Sequence, residues 1–500
     1  MTPSGNDPAR ATSPVRPWVL LAVAAIAVVV GLVPIPPLEP RAHGTLVLLT
    51  VAAGLWVSEA VPIAWTSLLI PALAVLLRIA DPKLAFAGFG DPILFLFFGT
   101  FLLTTAAFEQ GLQARLTHSV LRHERVRREP ARLLWAVAAI GCGISAWVNN
   151  TATTALILPV ALTAVGRVGR RRLTGLLLMA AFAPSLGGIA TPVGTAPNLI
   201  GLRLLANGAG VTVSFARWCA TFAPLALVFT ALAAAWFHFI GRNEPHGASL
   251  GDDASSAGVR SIAATPAGES LGPWSRAEKI LLPLYGAVIV CWILPGILQA
   301  THWREATWLQ EWTARLPETC VPLLGGLALF LLPARRRVPA DIGRAPRILG
   351  VDVLQRIDWS TLLLFGGGLS LGGLMFDTGL ARALGEAIFS VMPVQGTLGI
   401  VLASALMAVA VSEVTSNTAS ATLVVPVVLA LAQAAHMDPV KPAIAATVAC
   451  SFGFMLPVST PPNALVYATG HVRIRDMVRY GILLDLAGVL LISLWVTYCS

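Results

Sequence analysis

The chain has 500 residues, of which 56% are hydrophobic and 12% charged, with a net charge of +9. A soluble domain carries about 25% charged residues, so an ordinary soluble enzyme or binding module is excluded, and the solidly apolar runs exclude the alternating strands of an outer-membrane barrel. The chain reads as an all-α polytopic membrane protein set in a lipid bilayer. Its basic residues lie between the apolar runs, where the positive-inside rule places them, and give no reason to expect a nucleic-acid partner. Six cysteines (Cys142, Cys219, Cys291, Cys320, Cys450 and Cys499) are scattered, mostly inside apolar runs, with no pair at metal-ligand spacing.

A spanning helix needs about 20 mostly apolar residues. Residues 1–42 read as a polar tail and a first span at 17–35, which lacks a small-residue cleavage site and is read as a retained helix rather than a signal peptide. Spans follow at 43–59, 63–79 and 91–116. A basic loop then holds Arg115, Arg122, Arg125, Arg127, Arg128 and Arg132, and a second cluster holds Arg167, Arg170, Arg171 and Arg172. The segment 133–165 lies between them. Arg-rich flanks put both of its ends in the cytoplasm, so it is expected to enter and return as a re-entrant hairpin. Residues 173–206 read as a spanning helix broken at 191–198, and 213–240 as a further span. A Gly/Ser/Ala/Pro-rich stretch within 241–276 reads as a cytoplasmic linker.

The second half, 277–500, begins with a span at 280–298, an interfacial Trp-rich stretch at 303–317 and a short span at 320–332. Arg335, Arg336, Arg337, Arg344, Arg347 and Arg356 form its basic loop. A Gly-rich span at 359–391 precedes a second hairpin, 396–432, whose flanks lack Arg clusters and which is expected to enter from outside. A second broken helix at 439–470 and a last span at 480–498 complete the chain. The expectation is about eleven transmembrane helices plus two hairpins in the inner (plasma) membrane, with a cytoplasmic N-terminus and an outer C-terminus.

Two short polar stretches stand inside this apolar sequence, 147–153 (WVNNTAT) and 414–420 (VTSNTAS). Each has a polar partner downstream, 190–198 (ATPVGTAPN) and 458–463 (VSTPPN). The halves align by landmarks, 108–112 (FEQGL) with 376–380 (FDTGL). Gly111 lies 39 positions before Asn150, and Gly379 lies 38 before Asn417. Asn150 lies 48 before Asn198, and Asn417 lies 46 before Asn463. The copies start on opposite sides of the membrane, so the repeat, 43–240 and 277–500, is expected to be inverted. Inverted repeats with broken helices near the midplane are the pattern of secondary transporters.

The polar stretches offer amide oxygens, amide NH2 groups, hydroxyls and free carbonyls, with no Lys or Arg within them. Oxygen ligands suit a hard cation such as Na+, and broken helices present carbonyl ends to cations and N–H ends to anions. The same Asn and Thr residues would present donors to an anion, with sodium supplying the counter-charge that no Arg provides. An anion desolvated without that charge would be strongly disfavoured.

The two Asn-Thr stretches, the breaks GTAPN and TPPN, Trp56-x-Ser58-Glu59-Ala60-x-Pro62 and Leu364-Phe365-Gly366-Gly367-Gly368 together resemble the divalent anion:sodium symporter family, which includes sodium-coupled di- and tricarboxylate and sulfate transporters. The resemblance covers about 51–470, in order. It implies a homodimer, a scaffold and a transport domain in each protomer, elevator-type alternating access, and two sodium clamps, each made by a hairpin tip and a helix break. Carried over, the first clamp uses Ser145, Asn149, Asn150 and Gly194, and the second Ser412, Thr415, Asn417 and Ser459. The anion lies between Asn150-Thr151 and Asn417-Thr418, with Thr195, Thr460 and Pro461 nearby. One departure is Asn149, where the family pattern has Ser.

The leading reading is sodium-coupled symport of a small divalent anion, foremost a C4-dicarboxylate such as succinate, malate or fumarate. Sulfate symport and sodium-independent dicarboxylate exchange are the alternatives, and the motifs do not separate carboxylate from sulfate. An intramembrane enzyme would need a nucleophile–base pair or a metal set, and none is visible. A channel suits two closed ion clamps less well than alternating access does. Glu413, beside the second clamp, is open between tuning sodium affinity, binding a proton and making a structural hydrogen bond. Glu59, Glu109 and Asp377 lie near helix ends and read as structural.

Overall fold

Hydrocarbon offers no partner to an unpaired amide or carbonyl, so an apolar chain at membrane depth must close its hydrogen bonds within helices. The computed structural model of the protein describes residues 17–35, 38–121, 123–242, 273–301, 306–334, 347–391 and 396–499. Among these residues the regular structure is helical, apart from an isolated bridge between Pro333 and Arg347. The polar tail at 1–16, residues 243–272 of the expected linker, Trp303, Arg122, Arg335, Arg336, Arg337 and Arg344 lie outside the described residues.

In chain order, the helices that build the molecule are α1 (Pro17–Leu32), α2 (Pro40–Ser58), α3 (Ile63–Leu76), α4 (Pro92–Glu109), α5 (Leu112–Leu121), α6 (Pro130–Ser145), α7 (Asn150–Leu162), α8 (Arg170–Gly188), α9 (Ala196–Ala209) and α10 (Phe215–Arg242). They continue as α11 (Arg276–Gln299), α12 (Cys320–Ala328), α13 (Trp359–Asp377), α14 (Leu380–Val391), α15 (Gly396–Val414), α16 (Asn417–Ala434), α17 (Val440–Ala449), α18 (Pro461–Ala468) and α19 (Ile474–Tyr498). Eight of the described helices, α2, α4, α10, α11, α13, α15, α16 and α19, are long and apolar enough to cross a bilayer.

Two expected spans end early. The run at 91–116 is cut after α4, where Gly111 takes a positive φ of 76°, and α5 leaves in a new direction as a separate short helix. The run at 359–391 is cut in the same way after α13 by Gly379, with φ 77°. A left-handed residue closes a helix end, and glycine adopts it without a Cβ clash. Neither α5 nor α14 is long enough to span. Arg115 of α5 is instead tied to Glu278 of α11, Nε to Oε1 at 2.6 Å.

Lipid tails are as apolar as leucine, so helices here are held by close packing of small residues rather than by escape from water. A Cβ added to Gly187 of α8 would lie 2.2 Å from the Cys142 carbonyl oxygen of α6. One added to Gly385 of α14 would lie 2.5 Å from the Ala430 backbone of α16. Every residue of α8 from Leu173 to Gly188 is buried. That helix is therefore enclosed by protein, and at its C-terminal end the chain can leave helical geometry without facing lipid. Phe182 of α8 meets Phe454, just beyond α17, with ring centroids 4.8 Å apart, which joins the two broken segments through one core.

Candidate functional site

Each polar stretch forms the tip of a helical hairpin. Between α6 and α7 the chain turns at 146–149, and Asn149 caps α7 by accepting the Ala152 N–H on Oδ1 at 2.7 Å. Between α15 and α16 it turns at 415–416, and Ser416 caps α16 by accepting the Ala419 N–H on Oγ at 3.3 Å. Asn and Ser are equally good N-caps. This accounts for Asn149 standing where the family pattern has Ser, and it commits one acceptor position of its side-chain oxygen to the cap.

The residue after each cap points back into its hairpin. Ser145 Oγ donates to Asn150 Oδ1 at 2.6 Å, and Ser412 Oγ donates to Asn417 Oδ1 at 2.9 Å. Each hairpin tip faces a helix break. The first break lies between α8 and α9, and Asn198 holds it by donating Nδ2 to the carbonyls of Gly188 (3.0 Å) and Thr191 (2.8 Å). The second lies between α17 and α18, and Asn463 donates in the same way to Gly453 (2.8 Å) and Leu456 (3.0 Å). Both asparagines are fully buried, so these bonds replace the helical ones that the breaks forgo. The Trp218 indole N–H also donates to the Ile189 carbonyl at 3.0 Å.

Hairpin and break are tied together in each half. In the first, Thr191 Oγ1 donates to the Ala146 carbonyl at 2.5 Å and accepts the Gly194 N–H at 3.1 Å. In the second, Glu413 accepts the Met455 N–H on Oε1 and the Ser459 hydroxyl on Oε2, both at 2.9 Å. Glu413 thus makes the structural bond that its sequence position left open. Glu109 and Asp377 pair with Arg356 (2.5 Å) and Arg41 (2.7 Å) at helix ends.

The two tips and two breaks meet at one cavity of about 330 Å³. Asn150, Thr151, Thr195, Asn417, Thr418, Thr460 and Pro461, the expected anion-binding residues, all line it. So do Asn149, Gly194 and Ser459 of the expected ion clamps. Ser145 and Ser412 lie behind it, fully buried and bonded to the lining asparagines, and Thr415 is buried beside the second tip. The N-terminal ends of α7, α9, α16 and α18 all open onto the cavity, and helix N-termini favour negative charge. The opposite wall comes from Phe97, Thr100, Phe101 and Thr104 of α4 and from Asp358, Ser360 and Thr361 at the start of α13. No Lys, Arg or His lines the cavity, and Asp358 is its only ionisable lining residue among the described residues. Motif reading missed this second wall, although Asp358 and Thr361 carry a capping signal: Asp358 accepts from the Thr361 N–H at 3.1 Å.

Behind each tip a glycine of the facing break packs closely against oxygen atoms. A Cβ on Gly188 would lie 2.8 Å from Asn150 Oδ1 and 3.2 Å from the Gly194 carbonyl oxygen. A Cβ on Gly453 would lie 3.2 Å from the Ser412 carbonyl oxygen and 3.4 Å from its Oγ. The buried Thr415 Oγ1 has no hydrogen-bond partner. Neutral oxygens of this kind suit a hard cation better than a soft or redox metal. Among the described residues no group of three or more His, Cys, Asp or Glu side chains is placed to hold a metal ion.

The family pattern described as "Citrate transporter" matches residues 53–449. The chain belongs to the citrate transporter family. An uncharacterised transporter of Haemophilus influenzae is 30% identical to it over 462 residues, covering 91% of this chain and 92% of the relative. The sodium-dependent dicarboxylate transporters SdcS of Staphylococcus saprophyticus and Staphylococcus aureus are 28% and 27% identical, each covering 89% of this chain and 83% of the relative. These relatives support the divalent anion:sodium symporter resemblance. Among solved structures, the YdaH transporter of Alcanivorax borkumensis has a TM-score of 0.56 at 16% identity, covering 83% of this chain and 88% of that one. MtrF of Neisseria gonorrhoeae, from a class of antimetabolite efflux pumps, has a TM-score of 0.55 at 14% identity and 83% coverage of both chains. The fold is therefore a transporter fold. This citrate transporter family member is a multi-pass integral membrane transporter and not an enzyme.

Proposed function

We propose that this transporter carries a small divalent anion together with sodium, foremost a C4-dicarboxylate such as succinate, malate or fumarate. The observation that carries the reading is the shared cavity. Asn150 and Asn417 each turn Oδ1 toward a buried serine behind the tip, while their backbones open helices that face the cavity. The anion binds between Asn150-Thr151 and Asn417-Thr418, with Thr195, Thr460 and Pro461 around it. One sodium sits with Ser145, Asn149, Asn150 and Gly194, and one with Ser412, Thr415, Asn417 and Ser459. Each asparagine thus belongs to an ion site and to the anion site. In a cavity without Lys or Arg, the two cations offset the charge of the anion.

The matched hydrogen bonds of the two halves support an inverted repeat, 43–240 and 277–500, joined by a cytoplasmic linker at 241–276. Eleven crossings follow when α1, α3, α12 and the broken pairs α8–α9 and α17–α18 are added to the six long helices outside the hairpins. The N-terminus is then cytoplasmic and the C-terminus outside, in the plasma membrane. The hairpins with the broken helices form a transport domain that moves past a scaffold in an elevator motion, within a homodimer.

The test is uptake of radiolabelled succinate into proteoliposomes under an inward sodium gradient, with choline as the control. Sodium-dependent uptake lost in Asn150→Ala and in Asn417→Ala supports the reading. Uptake indifferent to sodium but driven by internal dicarboxylate makes the protein an exchanger. Sulfate uptake under the same gradient, without succinate uptake, moves the substrate to inorganic anions.

A further inference from the structure

Asp485 lies in the middle of α19, a helix otherwise apolar through its centre. An ionisable group at membrane depth calls for a functional explanation and a named partner. α19 presses one face against the second break. A Cβ on Gly481 would lie 2.5 Å from the Phe454 carbonyl, and one on Gly488 would lie 2.6 Å from the Phe452 ring. Asp485 sits on that same face, one turn from Gly481, at helical spacing. It is 3% exposed, against the Glu413 carboxyl and the Phe454 backbone amide. Glu413 is also 3% exposed.

The two acids are served very differently. Glu413 accepts the Met455 N–H and the Ser459 hydroxyl. Both oxygens of Asp485 are fully buried and neither accepts a well-formed hydrogen bond, its neighbours being the Glu413 carboxyl and the Phe454 amide. Among the described residues no Lys, Arg or His forms an ion pair with either acid. Two carboxylates face to face in a low-dielectric interior repel strongly, and each is costly to bury without a counter-charge.

We propose that Asp485 and Glu413 hold a further sodium ion between them, behind the second clamp. The inference rests on the sodium-coupled reading above and extends it to α19. The pair supplies hard, anionic oxygens with unused lone pairs on Asp485, which suits a small hard cation. Ser459 connects this position to the transport site. Its hydroxyl bonds the Glu413 carboxylate, and the residue also lines the anion cavity. Ion occupancy behind the break would therefore set the position of a residue in the second clamp, so that α19 takes part in coupling without touching the anion.

The experiment counts sodium bound to the purified full-length protein by scintillation proximity with radioactive sodium, without any substrate. Asp485→Asn is expected to bind one sodium ion fewer per chain than the wild type, and Asp485→Glu the same number as the wild type. Should Asp485→Asn fail to run as a single folded species on gel filtration, the wild-type count decides alone, since the inference requires one ion more than the two clamps hold. A wild-type count that the clamps account for in full would overturn the inference, as would an unchanged count in folded Asp485→Asn; either leaves the pair to a proton. No sodium bound by the wild type would instead overturn the sodium-coupled reading itself.

Discussion

Gly188→Ala places a methyl group in the space behind the first hairpin tip. The added Cβ would lie 2.8 Å from Asn150 Oδ1 and 3.2 Å from the Gly194 carbonyl oxygen, the two oxygens proposed to hold sodium. Even a weak carbon–oxygen contact needs about 3.3 Å, so Asn150 must retreat or the ion must leave. Overpacking of this kind costs about 1–3 kcal/mol, and about 1.4 kcal/mol already corresponds to a tenfold loss of affinity. The assay is thermal unfolding of the purified protein with and without sodium. At about 100 times its Kd a ligand stabilises by about 2.7 kcal/mol, and a tenfold weaker ligand at the same concentration by about 1.4 kcal/mol. The sodium-dependent stabilisation should therefore fall by half or more. Gly453→Ala, whose Cβ would stay 3.1 Å from the nearest atom, should lose less. Gly143→Ala, which meets nothing within 4 Å, should lose nothing. Folded Gly188→Ala with the sodium-dependent stabilisation of the wild type would refute the placement of the first ion.

Three further outcomes are expected. Asn198→Ala and Asn463→Ala each take the amide partner from one buried carbonyl, Gly188 and Gly453, while the second carbonyl of each break keeps a backbone N–H, Gly194 on Thr191 and Ser459 on Leu456. At about 1–3 kcal/mol for one unsatisfied buried group, each should destabilise the protein by about that amount, read as a lower thermal midpoint, and Asp, which lacks the amide donors, should not rescue it. Glu278→Ala removes the carboxylate that Arg115 binds at 2.6 Å, while Arg115 stays over the Trp274 ring. A hydrogen bond to a charged group contributes about 1.5–3 kcal/mol, so the thermal midpoint should drop even though Glu278 does not line the cavity. Ser412→Ala removes the hydroxyl bonded to both Asn417 Oδ1 and the Cys450 carbonyl, and should raise the sodium concentration for half-maximal uptake by about tenfold, which is about 1.4 kcal/mol.

The hairpin tips and the helix breaks were legible in sequence because polar residues, Gly and Pro stand out inside apolar runs. Asn150 and Asn417 could be named as candidate site residues because two copies at near-equal spacing pointed to them, and both line the one cavity. The ends of α4 and α13 were not legible. A glycine inside an apolar run reads equally well as helix interior, and only its positive φ at Gly111 and Gly379 shows that the helix stops there. The role of Asn198 and Asn463 was half visible: they served as landmarks of the repeat, but that their amides hold the breaks depends on carbonyls brought close by the fold. Gly188 and Gly453 carry no signal of their own, since the oxygens around them come from three separate segments. Asp485 did carry a signal, a carboxylate inside an apolar span, and needed the fold to supply its neighbour.

Anion and sodium are proposed to share one site through Asn150 and Asn417. The most direct measurement is equilibrium binding of radiolabelled succinate to the purified protein, in sodium and in choline. The account predicts saturable binding in sodium, none in choline, and none in either medium for Asn150→Ala or Asn417→Ala. Succinate binding of equal strength in choline would contradict it.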